Sequence, residues 1–338
     1  MTDAAKATAA TPPESVLSVS PATSPLPSPG PGEQPPAPAR SSSTGGAALV
    51  VGGAACLSLT AVFISLADVG AGTAAFLRCA IALAVLLPLA LYERRRHRAF
   101  PRRLRGPALL AGVFLGVDYV MWTVSILDVG AAVATVLLNI QVIAFPLLAR
   151  ILGGDRIPRR FAYASPLMLA GLALAAGLLD HSDQARHPLR GALLGLAAGV
   201  AYAAYLYLIR LCGVASPQHS VTPVFLSTLA AAATSGVLAL FTTGLTLAVP
   251  LASWGWLIAL ALLGQVAAWI LIGRGTPRVT PNAAAALLLL QPIMAVACAM
   301  LLLGESPTAL QLAGCAVVVA AVWFAGRTPA RRRSRRAP

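Results

Sequence analysis

The 338-residue chain is 58% hydrophobic, and only 11% of its residues are charged, against roughly 25% in an ordinary soluble domain. So little polar surface cannot cover a water-soluble globule, and burial in lipid is the simpler reading. The formal net charge is +14, but the arginines sit in short loops between apolar runs, a topological pattern rather than a nucleic-acid surface; Lys6 is the only lysine and does not stand in the Gly-rich motif of a P-loop.

Residues 1–45 are rich in Pro, Ser, Ala and Thr and show no apolar period, so a disordered tail is expected. They lack the basic start and short apolar core of a secretory signal. From residue 46 the chain becomes a series of apolar runs, each near the roughly 20 residues that span a bilayer. The runs predict helices at 46–66, 72–92, 106–126, 130–151, 162–179, 191–210, 221–243, 252–273, 282–303 and 308–326. The fold class expected is an all-α membrane protein with ten transmembrane helices.

Arginine orients these helices. The 93–105 loop, the 150–160 segment, Arg210, Arg274, Arg278 and the 327–338 tail together hold twenty arginines, all on one side if both termini are cytoplasmic. The opposite side receives two, Arg186 and Arg190. That asymmetry predicts a multi-pass protein of the cytoplasmic (inner) membrane with an external linker at 180–190. Cys56, Cys79, Cys212, Cys298 and Cys315 lie in or beside apolar runs without C-x-x-C spacing and read as small packing residues. His97, His181, His187 and His219 all fall in loops. No metal site and no cofactor is expected.

Two stretches repeat each other. Leu138-Asn139-Ile140-Gln141 leads to Gly154-Asp155, and Leu288-Leu289-Leu290-Gln291 leads to Gly304-Glu305, with Gln and Gly-acid displaced by 150 residues in both cases. Leu169-Ala170-Gly171 and Leu312-Ala313-Gly314 follow. An odd number of helices separates the copies, so they insert with opposite orientation. The loop after Gly154 carries Arg156, Arg159 and Arg160, whereas the loop after Gly304 carries no arginine. Two inverted five-helix repeats follow, 46–179 and 191–326, an arrangement that places a substrate site near the midplane between halves.

The run Leu287-Leu288-Leu289-Leu290-Gln291-Pro292-Ile293, with Leu303-Gly304-Glu305-Ser306-Pro307 and Gln311-Leu312-Ala313-Gly314, resembles the last two helices of the drug/metabolite transporter superfamily, EamA type. Arg78, in Phe76-Leu77-Arg78, stands where the first domain of that family often keeps an arginine. The resemblance covers about 46–326. It implies a ten-helix transporter with cytoplasmic termini that moves small metabolites, amino acids among them. Gln291 stands where many members have a glutamate, and the first copy has Pro146 where the second has Pro292, with Val142 at the matching position.

Asp118 and Arg78 are the two charges well inside predicted spans, where a charge is costly and is normally paired or faces a cavity. Their depths differ by about 3 Å at 1.5 Å per residue. An Arg78–Asp118 pair therefore either borders a substrate site or serves as a structural ion pair. Gln141 and Gln291 are repeat-related amides that either face a central cavity or hydrogen-bond between helices; Asn139 and Gln265 are weaker candidates. Tyr119 and Trp269 match at the same 150-residue offset and, with Trp122, Tyr202 and Tyr205, either wall a pocket or pack the core. Pro146 and Pro292 predict kinks in the fourth and ninth helices. Gly112 and Gly116, and the ladder Gly191, Gly195 and Gly199, read as close-packing faces.

The expected function is secondary transport, in the export direction, of a small metabolite such as an amino acid or a drug-like compound. Candidate substrate-binding residues are Arg78, Asp118, Tyr119, Gln141, Trp269 and Gln291. Candidate partners are the substrate, the bilayer, protons as the coupling ion and a second copy of the chain. A membrane enzyme acting on lipid-linked substrates is the alternative, but its acids would have to come from a set scattered at helix ends. A non-transporting receptor or scaffold would act through the tail, which offers no clear binding motif.

Overall fold

The computed structural model describes residues 41–129, 131–175, 187–242, 244–303 and 308–326. Residues 1–40 of the expected 1–45 tail, most of the 180–190 linker, the Gly304-Glu305 end of the second repeat motif and the basic 327–338 tail lie outside those residues, whereas residues 41–45 of that tail are helical. What is described is helical: α1 (Ser41–Ser58), α2 (Thr60–Ala67), α3 (Ala71–Arg96), α4 (Arg102–Val129), α5 (Ala131–Leu138), α6 (Gln141–Gly153), α7 (Arg159–Ala175), α8 (Pro188–Ala215), α9 (Thr222–Phe241) and α10 (Leu251–Ala259) come first. A π-helical segment (Leu260–Ala267), α11 (Ala268–Gly275), a 3-10 turn (Thr276–Arg278), α12 (Pro281–Leu288), α13 (Leu290–Leu303) and α14 (Ala309–Gly326) complete the order. Among the described residues there is no strand.

Among the described residues, seven helical stretches are long and apolar enough to cross a membrane: Thr44–Ile64, Gly72–Arg96, Arg102–Ser125, Val136–Gly153, Pro188–Ala215, Thr222–Phe241 and Leu251–Arg278. Pro281–Ala295 and Leu312–Ala325 are shorter apolar helices. The core is largely apolar, but several polar side chains are buried in it and many large apolar ones are exposed. Arg78, Asp118, Gln141 and Gln265 are buried, while Ile151, Phe241, Leu301 and Trp323 are exposed, the distribution expected of a bundle solvated by lipid.

Four expected spans are not uniform α-helices. The first is interrupted at Leu59, where Ser58 Oγ and Thr60 Oγ1 donate to the carbonyls of Ala55 and Leu57 at 2.7 and 2.6 Å, local bonds that compete with the helical ladder. In the fourth, the N–H groups of Asn139 and Ile140 turn back to the carbonyls of Val136 and Leu137, each at 3.1 Å. Helix α6 then runs through Pro146 without a break, so the interruption expected at that proline stands at Asn139–Ile140 instead. The ninth breaks at Leu289, whose N–H donates to Ala286 at 3.2 Å, and Pro292 falls in the first turn of α13, where a missing N–H costs least. The eighth contains the π segment.

The halves pack in a repeating pattern. Helix α3 lies on α9, α6 on α12 and α7 on α14; α4 packs against α8 and α9, as α11 packs against α1 and the π segment against α3. Glycines permit the closest of these contacts. A Cβ on Gly116 would stand 2.7 Å from Thr234 Cβ, one on Gly195 2.8 Å from Ser125 Oγ, one on Gly112 would enter the Ser227 carbonyl, and one on Gly199 the Leu138 carbonyl beside the fourth-span break.

Both ends are tied across the halves. At the arginine-rich end the Glu93 carboxylate accepts from the N–H groups of Ser220, Val221 and Thr222 at 2.7, 2.9 and 2.8 Å and from Thr222 Oγ1 at 2.6 Å. It thereby occupies the orphan donors of the α9 N-terminus. His219 Nδ1 shares a hydrogen bond with Ser216 Oγ at 2.8 Å, and its Nε2 lies 2.7 Å from the Arg98 carbonyl. At the other end Arg190 donates twice to Asp128, at 2.7 and 2.6 Å, and Ser125 Oγ donates to the Gly191 carbonyl at 2.8 Å.

Two measurements test this packing. Gly112→Val should lower the thermal stability of the detergent-solubilised protein by about 1–3 kcal/mol through overpacking, whereas Gly106→Ala, with open space around its Cβ, should leave it unchanged. The hydrogen bonds from Arg190 hold the Asp128 carboxyl below its ordinary range. Stability from this pair is therefore present above the usual aspartate pKa and is lost as pH falls through the depressed value; melting of Asp128→Asn should lack that acid-side component.

Candidate functional site

A lone arginine near the middle of an apolar bundle costs about 3 kcal/mol unless compensated. Arg78, on α3, is only 6% exposed, and the chain compensates it with backbone. The π segment is the reason a carbonyl is free. Where i→i+5 bonding returns to i→i+4, one carbonyl is skipped. Ala268 N–H donates to Leu263, and the next carbonyl, Gly264, accepts from Arg78 Nη2 at 3.0 Å. Gly264 has no side chain to obstruct this: a Cβ there would meet Thr60 at the first-span break and lie 3.5 Å from the guanidinium. The Arg78 Cζ also sits 4.5 Å from the centroid of the Tyr119 ring, a cation–π contact worth about 2 kcal/mol when desolvated.

Tyr119 extends the network to the second half of the chain. Its hydroxyl donates to Gln265 Oε1 at 2.8 Å, and Trp269 Nε1 donates to the same oxygen at 3.2 Å. Gln265 Nε2 donates in turn to Thr228 Oγ1 at 3.1 Å. Trp269 is edge-on to Tyr202 and Tyr205, with centroids 5.9 and 4.7 Å away. One amide thus satisfies the two aromatic residues that match at the 150-residue offset, and polar groups from α3, α4, α9 and the π segment meet inside the bundle with the α8 tyrosines as a wall.

Asp118 is 5% exposed but does not pair with Arg78. The salt bridge among the described residues is Asp128 with Arg190, and the Arg78 guanidinium is turned to Gly264 and Tyr119 instead. Buried polar atoms here that lack a hydrogen-bond partner include Arg78 Nε, Asp118 Oδ1, Trp122 Nε1 and the Tyr202 hydroxyl. They offer three donors and one acid in an aromatic setting.

The amide pair is not part of this cluster. Gln141 is buried on α6, with its Oε1 unpartnered, and α6 packs against α8 and α12. Gln291 is half-buried on α13, which packs against α1. Gln265 and Thr228, in contrast, hold the cluster together. Gln265 was visible in the sequence as an amide within a span; Thr228 carried no such signal, and the π segment has no sequence signature. The two measured cavities lie elsewhere. One of about 420 Å³ is lined by Val117, Met121, Leu194 and Leu238 near Arg190, and one of about 440 Å³ lies at Arg150 and Gly154–Ile157. The polar cluster is closed in this state.

The comparisons decide the family. Residues 44–177 and 189–327 match the EamA-like transporter family. The chain belongs to it. The family places it among membrane transporters of small molecules, and the two matched regions together cover nearly all of the described helices. Of 28 matching chains among solved structures, one described as "Crystal structure of protein" superposes with a TM-score of 0.70 at 18% identity, covering 85% of this chain and 96% of that one. At that identity the likeness shows the fold alone. No curated protein sequence matches the chain.

The network predicts a sharp response at Gln265. Gln265→Leu leaves the Tyr119 hydroxyl, Trp269 Nε1 and Thr228 without their shared partner, and each buried unsatisfied group costs about 1–3 kcal/mol. The variant should melt earlier and show altered Trp269 emission, whereas Gln291→Leu should do neither.

Proposed function

We propose that the chain is a secondary active transporter exporting a small polar or amphipathic metabolite, amino acids or drug-like compounds included, by alternating access. Its working parts are two inverted five-helix halves, 46–179 and 191–326, with both termini cytoplasmic. The carrying observation is the closed polar cluster in which Arg78 and Tyr119 from the first half meet Gln265 and Trp269 from the second. A site built jointly by two halves opens whenever one rocks against the other.

Three features support the inverted arrangement. The fourth and ninth spans both break at repeat-related positions, Asn139–Ile140 and Leu289. The interhelix contacts of one half are mirrored in the other. Irregular backbone at the first-span break and the π segment lies against Arg78, and non-helical backbone at membrane depth is tolerated where it is buried in protein or lines a cavity. In this reading Arg78, Asp118, Tyr119 and Trp269 contact substrate when the cluster opens. Arg78 and Asp118 suit a molecule carrying both charges, and the aromatic residues suit its apolar part. Gln141 and Gln291 line the paths to the cluster from their respective halves.

Reconstitution into proteoliposomes with a panel of labelled amino acids and drug-like amines tests the reading. Saturable flux that falls at least tenfold in Arg78→Gln supports it. Turnover of a lipid-linked compound without flux would instead favour the membrane-enzyme alternative.

A further inference from the structure

We propose that Asp118 is the proton-carrying group of this transporter and that Arg78 is the switch that couples its proton to the π segment. The proposal rests on the transporter reading for its biological meaning, but the switch itself is a property of the folded chain.

The geometry contains two exclusive positions for one guanidinium. In the structure Arg78 Nη2 occupies the Gly264 carbonyl, and the guanidinium covers the Tyr119 ring. Asp118 precedes Tyr119 on α4, is buried, and leaves Oδ1 with no hydrogen-bond partner. An ionised carboxylate buried in this way, with no hydrogen bond to Oδ1 and the Arg78 guanidinium hydrogen-bonded elsewhere, is poorly compensated, so the arrangement fits the neutral acid. An ionised Asp118 draws the guanidinium one residue along α4, from the face of Tyr119 to the carboxylate. The Gly264 carbonyl then loses its partner, and the π segment loses the contact that stabilises its skipped carbonyl.

The charges close on this account. With the acid neutral the pair carries one positive charge, held by backbone and ring. With the acid ionised the pair is neutral and self-compensated. The step is a proton transfer between water and one Asp118 oxygen: the O–H bond forms when the site faces one side and breaks when it faces the other, while the guanidinium stays protonated throughout. The other titratable groups facing Asp118 are Tyr119 on α4 and Tyr202 on α8, with Cys79 on α3 and Tyr205 on α8 beyond them against Tyr119. None is an acid that ionises in the working range, and α9 and the π segment contribute the uncharged Thr228 and Gln265. Glu93 and Asp128 are committed at the helix ends. Asp118 is therefore the one carboxylate in the cluster able to hold the proton.

Two measurements read the switch without any substrate. Infrared difference spectra of the purified protein on raising pH should show loss of a protonated-carboxyl band, absent in Asp118→Asn. Hydrogen–deuterium exchange of peptides covering 260–269, corrected for the base-catalysed rise of intrinsic amide exchange with pH, should increase several-fold over the same pH range in the wild-type chain. It should stay low in Asp118→Asn and stay high at every pH in Arg78→Gln. A band that persists in Asp118→Asn, or exchange that responds to pH equally in wild type and Asp118→Asn, overturns the proposal.

A third arm tests coupling. In proteoliposomes holding unlabelled phenylalanine, lysine and glutamate and given the same compounds labelled outside, an imposed pH gradient should drive accumulation of label in wild type, and Asp118→Asn should show exchange without accumulation. Equal accumulation in both overturns the coupling. If wild type moves no probe in any mode, the transporter reading fails, and the infrared and exchange arms still decide the switch.

Discussion

The bundle is organised around the need to hold a positive charge where water does not reach. Arg78 meets that need through a backbone carbonyl and an aromatic face rather than a carboxylate. The consequences spread outward. A carbonyl is free only because the eighth span departs from α-helical bonding; that departure needs glycine at 264, because a side chain there would collide with Thr60. Thr60 stands at the break in the first span. The irregular backbone of two spans and the polar side chains of two more thus form one interdependent unit.

The two halves are related but not equivalent at this unit. Tyr119 and Trp269 stand 150 residues apart and both donate to Gln265. The position matching Gln265 in the first half is Leu115, which is buried and apolar. Arg78 is matched by Thr228 at the same offset, and Thr228 receives the Gln265 amide. Paired positions have therefore taken different chemistries, one half supplying charge and the other the neutral polar groups that accommodate it.

Much of the fold was legible in the residues. Apolar runs marked the helical stretches, and the small-residue faces at Gly112, Gly116 and Gly195 lie at real helix contacts. The interruptions were less legible. Proline at 146 suggested a break there, but a proline removes one N–H and leaves the rest of a well-packed helix intact. The break at Asn139–Ile140 instead follows from local three-residue turns, which have no distinctive residue pattern. Among site candidates, Arg78, Tyr119 and Trp269 converge, while Gln141 and Gln291 do not join them. Equal spacing in sequence establishes equivalence between halves, and equivalent positions in opposed halves need not face one another. The Arg78–Asp118 contact failed for a different reason: depth along the helix axis could be estimated from residue counts, but rotation about that axis and competition from a freed carbonyl could not.

The hydrogen bond from Arg78 to Gly264 spans 186 positions of the chain. A ribosome delivers the arginine to the bilayer well before the glycine exists. The nascent first half consequently carries a cation whose acceptor is still to be made. That half must shelter the charge elsewhere, near the headgroups or within the insertion machinery, until the eighth span arrives. The second half acts on the first as a late partner in biogenesis, and the order of synthesis becomes part of how the membrane accepts this sequence.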